Sequence, residues 1–450
     1  MSNIMWAYAK AGEPNACLFK EVEDYFTTED DQRLRAFKPQ DFSNFVWAYA
    51  TAGGSHPRLF KKVADSIISR RDLQCFKPQE LSNTVWAYAT AGESHPRLFE
   101  EVAHEVTGRD MGAFENQHMI NIVWAYAKAG LSSPLLFKNV ANTAIARGLD
   151  TFDPQHLSNI VWAYATSDES RPPLFKKFAD AIIARDLGTF NTQNLSNIVW
   201  AYATSRQSCP SLFKKVADAA IAKLSEFSSQ ETANLLWAYA VTGRINRRLF
   251  SSFIPTAAAL IEEGICQNIS NIAWAFAVSN VAAPDLFDNS FIIALRGREN
   301  ATKPEEISQL HQWHLWQQEL NSNICLPPIL QDHCREAFVS HRVVTSDFQN
   351  DVVCELLNIG LQPEEEVLMP SSGYRLDALV EVQGQRIGVE VDGPSHFIGK
   401  EPIGRTILKR RQVFNIDGIR IVSVPYWDWD KLGKDRTKKR EYLSCLLGMK

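Results

Sequence analysis

The tetrapeptide Trp-Ala-Tyr-Ala, or a close variant, begins at Trp6, Trp47, Trp86, Trp124, Trp162, Trp200, Trp237 and Trp274. The intervals of 41, 39, 38, 38, 38, 37 and 37 residues are too regular for a single globular core. Self-similarity at this period marks short supersecondary units that bury their apolar faces only by stacking on their neighbours. The expected architecture is therefore an α-solenoid of two-helix repeats over residues 1–320.

Each unit reads as a helical hairpin. In the second, Pro39 stands at a helix start, where a missing N–H costs nothing, and Gly53 marks the stop. Ser55 to Ile68 supplies the second helix, and a short glycine-containing joint makes the two antiparallel. A Phe falls 13 residues after the Trp at Phe60, Phe99, Phe137, Phe175, Phe213, Phe250 and Phe287, a position expected to anchor the two helices to each other.

A polar stripe accompanies this frame. Gln precedes the Trp by seven residues at Gln40, Gln79, Gln117, Gln155, Gln193, Gln230 and Gln267. Asn precedes it by three at Asn44, Asn83, Asn121, Asn159, Asn197, Asn234 and Asn271. Offsets of four and three put Gln, Asn and Trp on one side of the first helix. Two readings stand: amides that meet a nucleic-acid ligand on a concave face, or an internal ladder that holds the helices in register. Base discrimination needs residues that change from unit to unit, so Asp41, Glu80, His118, His156 and Asn194, each directly after the repeated Gln, are the candidates for it. Lysines of the second helices (Lys61, Lys62, Lys138, Lys176, Lys177, Lys214 and Lys215) are either phosphate contacts or an ordinary solvated face. Glu100 and Ser251 break that pattern.

Beyond the repeats, the Pro-rich joint Cys325-Leu-Pro-Pro-Ile lies in an expected linker and helix over 321–343, and an α/β domain is expected over 344–450 with its core at 388–446. Ser346 caps an amphipathic helix, the segments 374–382 and 386–393 alternate as two strands, 405–416 suits a helix ended near Gly418, and 419–424 is a further strand. Asp377 falls mid-strand, and Glu390 and Asp392 share one face of the next strand. Three carboxylates so placed are the kind of cluster that holds a divalent ion for phosphodiester cleavage. The plainer reading is that Glu390 and Asp392 pair with Arg405 and Arg410. His396 follows a Gly-Pro turn, and Lys409, Arg410 and Arg411 are able to face phosphates. Trp427 and Trp429, beside the basic run from Lys431 to Arg440, suit either stacking on unpaired bases or an apolar lid over the sheet.

Two resemblances rest on these residues. The units of about 38 residues are similar to the octotricopeptide-type repeats of organellar RNA-binding proteins and to the helical region of the FAST-kinase-like family. The pieces Leu376-Asp377-Ala378, Val389 to Phe397, Gly404 to Arg411 and Gly418 to Trp427 resemble the RAP domain, which has the plan of a restriction-endonuclease-like fold. The resemblance implies single-stranded RNA as ligand, organellar RNA-processing or ribosomal proteins as partners, a mitochondrion or plastid as setting, and a role in RNA processing, stability or translation. It implies RNA contact by Gln40, Asn44, Gln79, Asn83, Gln117, Asn121, Gln155, Asn159, Gln193, Asn197, His396, Arg405, Arg410, Arg411, Trp427 and Trp429. An enzymatic alternative is an endoribonuclease using Mg²⁺ or Mn²⁺, with Asp377, Glu390, Asp392 and Lys409 as catalytic residues and Asp377 and Glu390 as metal ligands. In it Asp392 stands where many members of the wider fold have a lysine. A third alternative is a protein scaffold or ribosome-associated component.

Composition bounds these readings. Apolar residues are 45% and charged residues 22%, the balance of a folded chain, and no apolar run is long enough for a membrane span. The eight cysteines form no CxxC pair, as expected of scattered thiols. The net charge of -5 hides an asymmetry: residues 400–450 carry 13 Lys/Arg against 6 Asp/Glu, leaving -12 for residues 1–399. The chain opens in mid-motif at Met1, which predicts that an upstream half-unit, with any targeting peptide, is missing.

Overall fold

The computed structural model describes residues 1–27, 34, 36–70, 72–93, 95–261, 264–296, 303–340 and 345–449. They form two compact units, residues 1–205 and 206–450.

In residues 1–205 helix pairs stack in series. The first helices are Ser2–Lys10, Pro39–Ala52, Pro78–Ala91, Asn116–Lys128, Pro154–Thr166 and Thr192–Thr204. The second helices, among them Pro57–Ser69, Pro96–Gly108, Pro134–Arg147 and Pro172–Ile183, form the other layer. First helices pack on one another more closely than second helices do. A small residue four before the Trp favours this in most units: Ser43, Ser82, Ser158 and Ser196 are buried, with Ile120 as the exception, and the hydroxyls of Ser43, Ser158 and Ser196 turn back onto their own helix's carbonyls.

Two hydrogen bonds, neither of them legible from periodicity, lock the stack. From Tyr49 onward, the Tyr of each Trp-Ala-Tyr-Ala motif donates across the joint to the Phe carbonyl of the preceding unit, at 2.6 Å for Tyr49 to Phe19, Tyr88 to Phe60, Tyr164 to Phe137 and Tyr202 to Phe175. In the four units whose first helices start at Pro39, Pro78, Asn116 and Pro154, an Arg at the end of the second helix reaches back to carbonyls of the turn before the first helix. Arg70 donates to Phe37 at 2.6 Å, Arg109 to Phe76 at 2.7 Å, Arg147 to Met111 at 3.1 Å and Arg185 to Leu149 at 2.9 Å. The expected Phe anchors Phe60, Phe99, Phe137 and Phe175 are buried.

Residues 206–450 begin with further hairpins of the same kind, including the first helices Ser229–Val241 and Cys266–Ser279 and the degenerate Pro304–Glu319. The 321–343 stretch contains the Pro328–Val339 helix, and residues 341–343 lie outside those described. The C-terminal part is a four-stranded sheet in the order β1-β2-β3-β6. Its strands are β1 (Glu364–Leu368), β2 (Arg375–Val382), β3 (Gln385–Asp392) and β6 (Arg420–Pro425), with a two-residue pair, β4 (Phe397–Ile398) and β5 (Glu401–Pro402), alongside. β1, β2 and β3 are antiparallel neighbours, and β6 runs parallel to β3. The helix Gly404–Gln412 makes the crossover that a parallel pair requires. The helices Asp347–Asn358 and Arg436–Leu446 close one sheet face over Val380, Val389 and Val424. The fold class is thus a helical-repeat solenoid followed by a small α/β domain. Among the described residues no helix is long and apolar enough to cross a membrane.

Candidate functional site

The polar stripe is accessible. In residues 1–205 Gln40, Gln79, Gln117, Gln155 and Gln193 are exposed, and Asn44, Asn83, Asn121, Asn159 and Asn197 are half-buried beside half-buried Trp47, Trp86, Trp124, Trp162 and Trp200. The indoles form a ladder, with ring centroids 6.1 to 6.5 Å apart from Trp6 through Trp200. Lys10 lies 4.5 Å from the Trp6 ring, a cation–π distance. Asn44 donates to Asn3 at 3.1 Å, and in residues 206–450 Gln309 donates to Asn271 at 3.0 Å, so part of the amide row does form the register ladder.

The discrimination candidates are corrected by the structure. Each sits at the third helical position, and four of the five side chains serve the helix start. Asp41 accepts from the Lys38 N–H at 3.0 Å, Glu80 from Lys77 at 2.7 Å, His118 from Glu115 at 3.3 Å and Asn194 from Asn191 at 3.3 Å. This is the capping-box arrangement. At the fourth unit along, the His156 N–H is held by Asp153 at 2.7 Å. The second-helix lysines lie in the other layer; Lys61, Lys138, Lys176, Lys177 and Lys214 are exposed there, and Lys62 and Lys215 are half-buried.

In residues 206–450 the corresponding face is covered. The helix Gly404–Gln412 packs on the first helices Ser229–Val241 and Cys266–Ser279. A Cβ at Gly404 would lie 1.9 Å from the Ala240 carbonyl oxygen and 2.9 Å from Val278, so only glycine lets the helix start approach so closely. Val241 and Val278 take the place, four after the Trp, that Thr51, Thr90, Lys128, Thr166 and Thr204 hold in residues 1–205. Trp274 is buried there. Its indole N–H donates to Gln312 at 2.8 Å, Gln312 donates to the Tyr374 hydroxyl at 2.7 Å, Tyr374 donates to Gln412 at 2.9 Å, and Gln412 returns to the Gln312 carbonyl at 2.8 Å. Arg411, expected to face phosphate, instead holds this joint: its guanidinium donates to the carbonyls of Ala277 and Val278 and pairs with Glu319 at 3.1 Å.

The carboxylates do converge. Glu390 is 3% and Asp392 1% exposed on the same side of β3. The Asp377 carboxylate, on β2, accepts from the Val391 N–H at 2.7 Å. The Lys409 Nζ stands 2.5 Å from Glu390, and Arg410 2.6 Å from Asp392, which also takes the Ser423 hydroxyl and lies 3.0 Å from His396. Burial pushes the Glu390 carboxyl up to about 7 against the pull of Lys409, and burial likewise raises Asp377. Burial also pushes Asp392 up, but the hydrogen bonds from His396 and Ser423 and the Arg410 charge together hold it below the usual range.

A hard cation needs several oxygens left to it. Here Lys409 takes one Glu390 oxygen, Arg410 and Ser423 take one Asp392 oxygen and the Val391 N–H takes one Asp377 oxygen, while Glu390 Oε1 is buried without a hydrogen-bond partner; among the described residues no group of three His, Cys, Asp or Glu side chains is placed to hold a metal. The residues do not fit the Mg²⁺ or Mn²⁺ of the nuclease expectation. As they stand, Glu390 is paired with Lys409 and Asp392 with Arg410, with Asp377 beside them, in a buried ion-pair network.

Trp429 is also corrected. It is 4% exposed, donates to Asp351 at 2.9 Å and carries Lys439 4.8 Å above its ring, so it is the lid over the sheet. Trp427 is half-buried against Phe397, 4.3 Å between centroids. Much of the basic C-terminal run is engaged internally: Arg436 and Arg440 share buried Glu355, and Lys439 pairs with Asp351, Lys431 with Asp428 and Lys438 with Asp435. Arg405 remains exposed.

The second half of β3, the crossover helix, β6 and the Trp429 lid lie within a segment that matches a family model, and β1 and β2 precede it. Residues 389–445 match the model described as the RAP domain. The chain therefore carries a RAP domain at its C-terminal end, preceded by a long run of packed helical repeats.

Proposed function

We propose that this protein binds single-stranded RNA along the first helices of residues 1–205. The observation that carries the reading is the run of exposed Gln and half-buried Asn and Trp on successive units. Asn83, Asn121 and Asn159 hold no side-chain hydrogen bond among the described residues. Amides and aromatic surfaces are what unpaired bases offer partners to. The RAP domain supports the same ligand. The family resemblance supports a role in RNA processing, stability or translation in a mitochondrion or plastid, checked by imaging the tagged full-length protein.

The binding test is fluorescence anisotropy with labelled single-stranded and duplex RNA across a salt series. Single strands bind tighter than duplex, because duplex bases are stacked away from the stripe. The slope of affinity against salt is shallow, because the Gln, Asn and Trp side chains are neutral and release no counterions. No affinity for single strands at low salt would contradict the reading and favour a scaffold role.

A further inference from the structure

We propose that the first-helix stripe of residues 1–205 reads the composition of a single strand and not the order of its bases. The inference rests on the RNA reading above and names the class of RNA that site takes.

On the five first helices from Pro39 to Thr204 few positions reach solvent at all. Apart from the helix starts and the last residues before each joint, they are seven and three before the Trp, the Trp itself, and four after it. In the five units from Trp47 to Trp200 the first three are always Gln, Asn and Trp, and the fourth is Thr in all but one, where it is Lys128. The position that changes in every unit but one pair, six before the Trp, is taken up by the helix start in four of the five units. Asp41 is tied to the Lys38 N–H and the Ser2 hydroxyl, and Glu80 is buried on the Lys77 N–H. His118 accepts from Glu115, and Asn194 is buried and also donates to Ser158 at 3.0 Å. His156 is half-buried beside Asp153.

A sequence-specific reader needs stations that differ, because discrimination of about 1–3 kcal/mol per base comes from different donor and acceptor patterns meeting different base edges. Stations identical in their Gln, Asn and Trp each apply the same preference through those three side chains, and Lys128 adds a charge that carries no base preference. A sum of identical terms depends on which bases are present and not on where they stand, and the strand can move along by one unit without losing contacts. The ligand class is thus a single-stranded tract without a fixed register, as in low-complexity or compositionally biased RNA.

The test uses the full chain and a set of short RNAs of one length and one composition in permuted order. Each is measured by anisotropy against the wild type and against the triple variant Asn83→Ala, Asn121→Ala, Asn159→Ala. These side chains are partly exposed and without side-chain hydrogen bonds, so thermal melts of the variant match the wild type. The expected result is that the substitutions weaken every permutation by the same factor, to within about twofold. Taking the ratio of the two proteins removes any order preference arising elsewhere in the chain. A loss that differs by about tenfold between permutations, or no loss for any of them, overturns the inference. If the wild type binds none of the RNAs, the RNA reading itself has failed and this inference falls with it.

Discussion

The Tyr164 hydroxyl donates to the Phe137 carbonyl oxygen at 2.6 Å, from the first helix of one unit into the second helix of the unit before. Both residues are buried. One atom, the phenolic oxygen, thereby fixes the register of two hairpins that periodicity alone leaves free to slide. Replacing Tyr164 by Phe keeps the ring and removes only that bond, at a cost of about 1 kcal/mol. The urea midpoint of unfolding falls accordingly, while Tyr8→Phe, at an exposed ring, leaves it unchanged.

The joint made by the Gly404–Gln412 helix is expected to tolerate no side chain at its start. Gly404→Ala sets a methyl against the backbone of Ala240, which cannot give way as a flexible side chain would. Overpacking of this kind costs about 1–3 kcal/mol. Hydrogen exchange of residues 404–418 rises in this variant and in Arg411→Ala, which leaves the 5%-exposed Glu319 carboxylate without its cation.

Glu390 gives the RAP domain a pH dependence of known sign. Its folded-state carboxyl is raised from 4.5 to about 7, so between those values the folded chain holds a proton that the unfolded chain releases. The contribution of this group is fully present below about 4.5 and is lost as the pH rises through about 7. Stability of the wild type relative to Glu390→Gln therefore decreases across that window in thermal melts. A difference that grows with rising pH would contradict the burial argument.

The carboxylates are expected to serve folding and not cleavage. RNA incubated with the purified protein stays whole in Mg²⁺ and in Mn²⁺, as read on denaturing gels. Asp392→Ala lowers the melting temperature by stranding Arg410 and His396, a loss of about 3 kcal/mol for a broken buried pair. Cleavage that Asp377→Ala or Glu390→Ala abolishes, with folding intact, would restore the nuclease reading.

What was legible in the sequence follows from which forces are local. The repeat, the helix starts at proline and the alternating strands are written in neighbouring residues, and the fold class follows from them. The face carrying Gln, Asn and Trp follows from offsets of three and four. The roles of individual side chains do not. Asp41, Glu80 and Asn194 vary as base readers would, yet a residue three after the residue preceding a helix also has the capping pattern, and the backbone N–H groups claim it. Arg411 and Trp429 look solvent-seeking or stacking by type, and only the packing of distant segments, Ala277 and Glu319 for one and Asp351 for the other, buries them. β1 escaped notice because Glu364, Glu365 and Glu366 mask its alternation.

The most direct measurement is ultraviolet crosslinking of a single-stranded RNA to the purified full chain, with the attached peptides mapped by mass spectrometry. Crosslinks on the first helices, at Trp86, Trp124 and Trp162 or their Asn neighbours, are the predicted result. Crosslinks confined to the second-helix lysines such as Lys138 and Lys177, or none outside residues 389–445, would contradict it.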